Sequence, residues 1–279
     1  MKKTKENRTA VEMVWFYLHR IICALILLYL ITPVLVIVPL SFSESAFLVY
    51  PVQGFSLRWY ENFFSSPTWM LGLKNTLIVA PLATIIAMVL GTLAALGFNR
   101  ANFFGKAFLM SLLVSPMVVP VVIVGVAAYL FFAPLGMANN IWLLILMHAV
   151  LGVPFVVITV LATLEGFDQN LVKAASSLGA SPVNAFFRVT LPIIAPGVIS
   201  GGLFAFGISF DEVVLTLFVA GPDQFTLPRV MFSGIRENLN PTIAAAATLL
   251  ILFSVIMLLT LEWLRRRSEK MRLGLANGD

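Results

Sequence analysis

Residues 168–192 read DQNLVKAASSLGASPVNAFFRVTLP, a polar run between two long apolar stretches. Asp168 can cap a first helix, and Gly179 can end that helix in the left-handed conformation. Ser181 and Pro182 can then cap and open a second helix. This second helix is expected to stop before the final proline of the run, because a residue that precedes a proline disfavours the helical region. The run therefore predicts two short helices joined by a bend.

The rest of the chain is strongly apolar. It is 60% hydrophobic and 11% charged, with a mean hydropathy of +0.98, whereas roughly a quarter of the residues are charged in soluble globular domains. This composition predicts an all-α integral membrane protein. A helix that crosses a bilayer needs about 20 apolar residues. Six stretches meet that requirement: residues 20–40, 74–98, 107–132, 140–163, 194–219 and 241–263.

The longest charge-free stretch, residues 107–164, has to cross the membrane twice. It contains the turn-forming sequence Ala133-Pro-Leu-Gly-Met-Ala-Asn-Asn140, which predicts a hairpin between the third and fourth spans. The first span follows a basic stretch, but its apolar core of about 20 residues is too long for a signal peptide, so we expect an uncleaved span. Six spans place both termini on the same side of the membrane.

The basic residues are divided unevenly between the two sides. The side of the termini and of residues 168–192 carries Lys2, Lys3, Lys5, Arg8, Arg20, Arg100, Lys106, Lys173, Arg188, Arg265, Arg266, Arg267, Lys270 and Arg272. The other side carries only Arg58, Lys74, Arg229 and Arg236. Because segments rich in Lys and Arg stay in the cytoplasm, the termini and residues 168–192 are expected to be cytoplasmic. Contact with anionic lipid explains the positive charge, so no nucleic-acid partner is expected.

Two segments are predicted to lie on the outer side. One carries five aromatic side chains expected at the depth of the lipid headgroups: Trp59, Tyr60, Phe63, Phe64 and Trp69. A membrane anchor is the favoured interpretation of this segment, and a docking surface for an external protein is the alternative. The loop from Ala220 to Pro241 combines charged residues with Gly and Pro, and it is the better candidate for contact with a partner.

Asp211 and Glu212 are the acids placed inside a predicted span. An ionisable residue at membrane depth is a candidate functional site, and two acids suit a cationic solute. With Ser209 they form the candidate translocation pathway. Adjacent helical residues point about 100° apart, so at most one acid is expected to face the pathway, and a purely structural carboxylate is the alternative. His148, also inside a span, is interpreted as an interhelical hydrogen bond rather than a proton relay.

The spacing of the small and apolar residues within 168–192 resembles the EAA loop of ABC importer permeases. In that family the loop is a cytoplasmic coupling helix that docks into a cleft of the ATPase subunit. The resemblance implies a type I importer permease of the MetI-like fold, with a coupling loop at 165–192 between spans four and five. It implies ATPase contacts by Lys173, Ala174, Ala175, Leu178, Gly179, Ala180, Val189, Leu191 and Pro192. Lys173 stands where the family motif begins with an acid, which implies a rearranged charge contact.

Motifs further along the chain resemble the spermidine/putrescine branch of these permeases. They are Ser209-Phe-Asp-Glu-Val-Val214, Phe218-Val-Ala-Gly-Pro222, Thr226-Leu-Pro228 and Asn240-Pro241. The resemblance implies a subunit of the bacterial inner membrane that forms half of the translocation pathway for a small, cationic, polyamine-like solute. It also implies a second, different permease subunit, two cytoplasmic ATPase subunits and an extracytoplasmic solute-binding protein. Related branches, which carry ferric iron, opines or phosphonates, remain alternatives.

The chain contains no Gly-x-x-x-x-Gly-Lys-Ser/Thr sequence for binding ATP phosphates. We therefore expect a protein that is not an enzyme and holds no cofactor or metal, with ATP and Mg on the partner ATPase. The expected organisation is an N-terminal part with the first span (1–70), a permease domain (71–264) and a basic cytoplasmic tail (265–279). The rival functions are an ion-coupled secondary transporter and a membrane-embedded hydrolase, although the chain has neither a His-Glu-x-x-His nor a Gly-x-Ser-x-Gly motif.

Overall fold

The structure, a computed structural model, describes residues 10–237 and 239–276, and side chains within 11–236, 239–257 and 259–260. The basic residues before residue 10, the last three residues and the side chains of the tail lie outside the described residues. The described chain is helical throughout, apart from turns and one isolated bridge between Ser43 and Phe55. Its α-helices are α1 (Ala10–Ser41), α2 (Arg58–Ser65), α3 (Pro67–Arg100), α4 (Lys106–Val114), α5 (Val121–Phe132), α6 (Ile141–Glu165), α7 (Asn170–Ser177), α8 (Pro182–Ala185), α9 (Leu191–Asp211), α10 (Val214–Val219), α11 (Leu227–Glu237) and α12 (Thr242–Ala276).

The chain divides into two compact units. The first comprises the residues up to 65 and those from 234 onward, and in it α12 packs against both α1 and α2. Within α2, Trp59 is buried and donates its indole N–H to the Ser43 carbonyl at 2.7 Å, while Phe63 is completely buried. These two rings are therefore covered by protein rather than exposed as a lipid-facing anchor, and their depth at the headgroups stays a prediction.

The second unit, residues 66–233, is built around α3, α6 and α9. Small residues let these three helices approach closely. A Cβ added at Gly152 would lie 2.8 Å from the Ala205 Cβ, and one added at Gly201 would lie 2.6 Å from the Val156 Cα. The core that results is almost entirely aliphatic: Ala87, Ala95, Val156, Val157, Val160, Leu164, Ile194, Val198 and Ala205.

The predicted third span is not a straight helix. Residues Lys106–Met117 and Val121–Phe132 meet at an angle of 102°. Pro116 and Pro120 lie at this bend, and proline removes backbone donors and clashes with the preceding helical turn. The predicted turn between residues 132 and 141 is confirmed, since Gly136 and Asn139 have φ values of 69° and 59°. Asn140 then caps α6, its Oδ1 accepting the Trp142 N–H at 2.8 Å.

Among the described residues, four helices are long and apolar enough to cross a membrane: Val11–Ser41, Pro67–Arg100, Ile141–Glu165 and Pro182–Asp211. The bent pair could supply a further span, and Thr242–Met257 is a shorter apolar helix. The predicted fifth span, 194–219, is not one helix. The helix α9 ends at Asp211, and α10 begins at Val214, after two intervening residues. An all-helical protein with several apolar helices, as the sequence predicts, is thus confirmed.

Candidate functional site

The segment 168–190 folds as a helix, a tight bend and a second helix. Asp168 Oδ1 accepts the Asn170 N–H at 2.9 Å and so caps the start of α7. At the other end Gly179 has a φ of 87°, the left-handed conformation that the sequence predicts. The Gly179 N–H bonds to the Ser176 carbonyl at 2.9 Å and the Ala180 N–H to the Ala175 carbonyl at 3.0 Å. This pair of bonds is the Schellman motif, which ends the helix and fixes the bend.

The second helix begins as predicted but does not stop before Pro192. Ser181 Oγ accepts the Asn184 N–H at 3.3 Å, and α8 then passes through a π-helical turn, Phe186–Thr190, directly into α9. In this wider turn the Leu191 N–H bonds to the Phe186 carbonyl. The extra residue in the turn accommodates a proline that would interrupt regular α-helical hydrogen bonding. The prediction of a break before Pro192 is wrong, and Pro182–Asp211 is one helical rod.

The nine residues predicted to contact an ATPase fall into two groups. Lys173, Ala174, Leu178, Gly179 and Pro192 are exposed. Ala175, Ala180, Val189 and Leu191 are half-buried, and Leu191 packs against the aliphatic core of the second unit.

Three large apolar side chains of this segment are exposed. Leu178 is 90% exposed, and Val183 and Phe187 are 63% and 59% exposed. Lys173 Nζ lies 3.5 Å from Asn170 Oδ1, a polar contact within α7. The first group of residues is thus exposed together with these apolar side chains, whereas the second group is half-buried, with Leu191 against the core.

The break between α9 and α10 separates the two candidate acids. Glu212 is half-buried, and its Oε1 accepts the N–H groups of Val214 at 2.7 Å and Leu215 at 3.0 Å. Its carboxylate thus caps the start of α10. Asp211 is exposed, and the structure gives its carboxylate no hydrogen-bond donor among the described residues. The prediction that both acids lie inside a continuous helix is wrong, because the backbone is extended at Glu212 (φ −73°, ψ 118°).

Ser209, the third candidate pathway residue, is buried and faces α6. Its Oγ lies 2.9 Å from Nδ1 of His148. The interpretation of His148 as an interhelical hydrogen bond is confirmed. The structure does not bring Ser209 together with the exposed carboxylate of Asp211.

The chain matches the family model for the binding-protein-dependent transport system inner membrane component over residues 87–270. The chain belongs to this family. This permease is 30% identical, over 254 residues, to the spermidine/putrescine transport system permease protein PotC of Haemophilus influenzae, covering 91% of its own length and 98% of that protein. It is 36% identical, over 256 residues, to the putrescine transport system permease protein PotI of Escherichia coli K12, covering 88% and 89%.

The permease also has the fold of a solved ABC transporter chain. It superimposes with a TM-score of 0.73 on a chain of a bacterial transporter involved in the import of the acidic polysaccharide alginate. The match covers 91% of the permease and 98% of that chain at 12% identity. The predicted resemblance to importer permeases and their spermidine/putrescine branch is confirmed, and the family is a transport component rather than an enzyme. Neither rival function, the secondary transporter or the hydrolase, is favoured.

Sequence reasoning missed the contacts that hold the loop between α10 and α11 of the permease. Asn75 Nδ2 donates to the carbonyls of Asp223 at 2.9 Å and Phe225 at 3.0 Å, and Thr76 Oγ1 accepts the Leu227 N–H at 2.8 Å. Asn75 and Thr76 are both buried in α3. Two adjacent polar residues at the start of an apolar span indicate that a polar contact is made there. The sequence does not show that the partners of these residues lie about 150 residues away.

Proposed function

We propose that this permease forms half of the transmembrane pathway of an ATP-driven importer for a small polyamine-like cation. The similarity to permeases named for spermidine and putrescine, over about nine-tenths of the chain, carries the choice of solute. The exposed apolar surface of residues 168–190, held by the Gly179 bend, supports docking to a separate ATPase. Its partners would be a second, different permease subunit, two cytoplasmic ATPase subunits that hold ATP and Mg, and an extracytoplasmic binding protein.

The proposed topology has six spans in a bacterial inner membrane, with both termini cytoplasmic. The spans are α1, α3, the bent pair α4–α5, α6, the rod that ends at Asp211, and α12. The basic residues support this orientation, because Arg100, Lys106, Lys173 and Arg188 lie at the ends of helices or in connections on the proposed cytoplasmic side. The proposed organisation keeps the coupling loop at 165–192 within a permease domain at 71–264, between a first part at 1–70 and a basic tail at 265–279.

The continuity of Pro182–Asp211 suggests how an ATPase would act on the pathway. Closure of the ATPase pair moves the docked α7 and α8, and the same rod carries Asp211 at its other end. No loop lies between the two sites to absorb the motion. Alternating access requires that α7 and α8 keep different contacts in the inward-open and outward-open states, since only a difference in interaction free energy shifts the equilibrium.

The two acids have different proposed roles. Asp211 is exposed and free to attract a cationic solute, whereas the Glu212 carboxylate caps α10. Ser209 contributes by fixing the helix that carries Asp211, and its hydroxyl is buried against His148.

Transport by reconstituted vesicles tests the proposed function. The permease is assembled with its second permease subunit and ATPase, and uptake of radiolabelled putrescine and spermidine is measured. We expect uptake that requires ATP on the ATPase side and binding protein on the opposite side. Uptake driven by an ion gradient without ATP would contradict the proposal, and ATP-dependent uptake of only a non-cationic solute would contradict the choice of substrate.

The Gly179→Val substitution should weaken ATPase docking by about tenfold or more. A β-branched residue in the left-handed conformation costs roughly 1–2 kcal/mol or more, so the bend would relax to another geometry. A side chain at position 179 meets nothing within 4 Å, so the effect would come from backbone conformation rather than from a clash. Co-purification of the ATPase with the permease measures it.

Gly166→Val is the matched control for this prediction. Gly166 also has open space around it, but its φ is −93°, so a side chain there avoids the left-handed conformation that penalises valine at position 179. We expect ATPase docking close to that of the unmodified permease. Equal docking by both variants would show that the Gly179 bend does not position the coupling surface.

A further inference from the structure

His148 lies in the first third of α6 and reaches both sides of the break between α9 and α10. Its Nδ1 lies 2.9 Å from Ser209 Oγ, on α9, and its Nε2 lies 3.5 Å from Thr216 Oγ1, on α10. The imidazole is completely buried. A neutral imidazole has one donor and one acceptor nitrogen, while a hydroxyl group serves as either, so one ring can hold both hydroxyls at once.

The imidazole is buried together with both hydroxyl groups, and the neighbouring residues Met147, Leu151 and Leu215 belong to one buried hydrophobic cluster. Thr216 Oγ1 also lies 3.5 Å from the Glu212 carbonyl and 3.5 Å from Thr226 Oγ1. In such an environment no water replaces a lost hydrogen bond, so a polar group without its partner is costly. The three side chains therefore have a strong preference for this arrangement.

The break between α9 and α10 has to be held by contacts from other parts of the protein, because the backbone hydrogen bonds of the helix do not continue through it. The backbone is extended at Glu212, and each residue outside a helix has two soft dihedral angles. Glu212 ties the break to α10 alone, through the N–H groups of Val214 and Leu215. His148 contacts helices on both sides and belongs to a third, α6. It is thus placed to set the angle between the end of α9 and α10.

We propose that His148 is a positioning residue of the pathway, which fixes the orientation of Asp211 by bridging Ser209 and Thr216 across the helix break. The placement of Asp211 in a pathway rests on the proposed function. The bridge itself rests on the geometry of α6, α9 and α10.

The accessibility of position 211 tests the bridge directly. In the assembled transporter, Cys23→Ser removes the single native thiol of this chain and Asp211→Cys introduces one at the end of α9. Labelling by a membrane-impermeant thiol reagent is then followed with and without His148→Leu. We expect His148→Leu to increase the labelling rate about fivefold, because the end of α9 is released. His148→Gln, whose amide retains a donor and an acceptor, should return the rate towards the original.

Ser65→Cys in the same background provides the control position. Ser65 is exposed at the end of α2, outside the proposed ATPase-docking segment and outside the three helices that His148 joins. Its labelling should not change with His148→Leu. A rate at position 211 that does not rise, or equal changes at 65 and 211, would overturn the proposal, since the second result indicates general loosening of the fold. Adding Ser209→Ala to His148→Leu should produce no further increase, because the contact is already lost.

Thiol labelling needs neither ATP nor solute, so the bridge can fail or succeed independently of the proposed function. Uptake of putrescine by vesicles containing the native Asp211 adds the functional readout. His148→Leu should lower uptake per assembled transporter, and His148→Gln should restore it. If labelling follows the prediction but the unmodified transporter takes up no polyamine, the proposed substrate is wrong and the positioning role stands. If uptake by His148→Leu is unchanged while the unmodified transporter is active, the positioning role in transport is overturned.

Discussion

A Gly201→Val permease is expected to fail to assemble. Gly201 is buried where α9 crosses α6, and a Cβ there would lie 2.6 Å from the Val156 Cα. Backbone cannot move aside as the end of a flexible side chain can, so the two helices would have to separate. Overpacking a core costs about 1–3 kcal/mol and more where the site is rigid, and this crossing anchors the central helices of the second unit. The measurement is the amount of monodisperse permease after detergent extraction, which should fall by about tenfold or more.

Gly207→Val provides the matched control, six residues further along the same helix. An added Cβ at Gly207 meets nothing within 4 Å, so the same substitution should cost only the change in helix propensity. Gly201→Ala should give an intermediate yield, since it adds the clashing Cβ without further branching. Similar yields of the two valine variants would refute the argument that close approach at Gly201, rather than the loss of a glycine as such, determines assembly.

An Asp211→Asn permease is expected to assemble normally and to take up putrescine about tenfold more slowly. The substitution keeps the size of the side chain and removes the negative charge, and tenfold corresponds to about 1.4 kcal/mol of lost attraction. Asp211 is exposed, so its neutralisation breaks no hydrogen bond to another described residue. Initial uptake rates in vesicles, normalised to the amount of assembled transporter, provide the measurement.

The neighbouring acid supplies the comparison for this prediction. Glu212→Gln keeps an oxygen that can accept the Val214 and Leu215 N–H groups, so α10 retains its cap. Uptake should therefore fall much less than with Asp211→Asn. The assignment of Asp211 to the pathway would be wrong if the two variants had equal uptake, or if Glu212→Gln were the more severe.

Local signals in the sequence predict those parts of the structure that depend on neighbouring residues. The Gly179 bend follows from a glycine, a serine and a proline within four positions, and its Schellman bonds connect residues at most five apart. The turn before α6 is similarly local. Apolar length and the division of positive charge are also contained in the sequence, so the helical membrane class is predictable.

The breaks in the helices are not predictable in the same way. No glycine or proline lies between Ser209 and Val214, so nothing local marks the end of α9. The break depends on the Glu212 cap and on a histidine 61 residues away from Ser209. Conversely, Pro192 gives a strong local signal for a break, but the π-helical turn before it keeps the helix continuous. Tertiary packing determines both outcomes.

If the ATPase tilts the helix Pro182–Asp211 as one rod, the tight contact of Gly201 with the backbone of α6 would serve as the fulcrum, since an added Cβ there would lie 2.6 Å from the Val156 Cα. At 1.5 Å per residue, about 28 Å of rod lies on the coupling side of that point and about 15 Å on the side of Asp211. A rotation about Gly201 therefore moves the coupling end almost twice as far as the end that carries Asp211. Under the proposed function, a wide movement at the ATPase-docking end would thus produce a shorter displacement, with greater force, at Asp211.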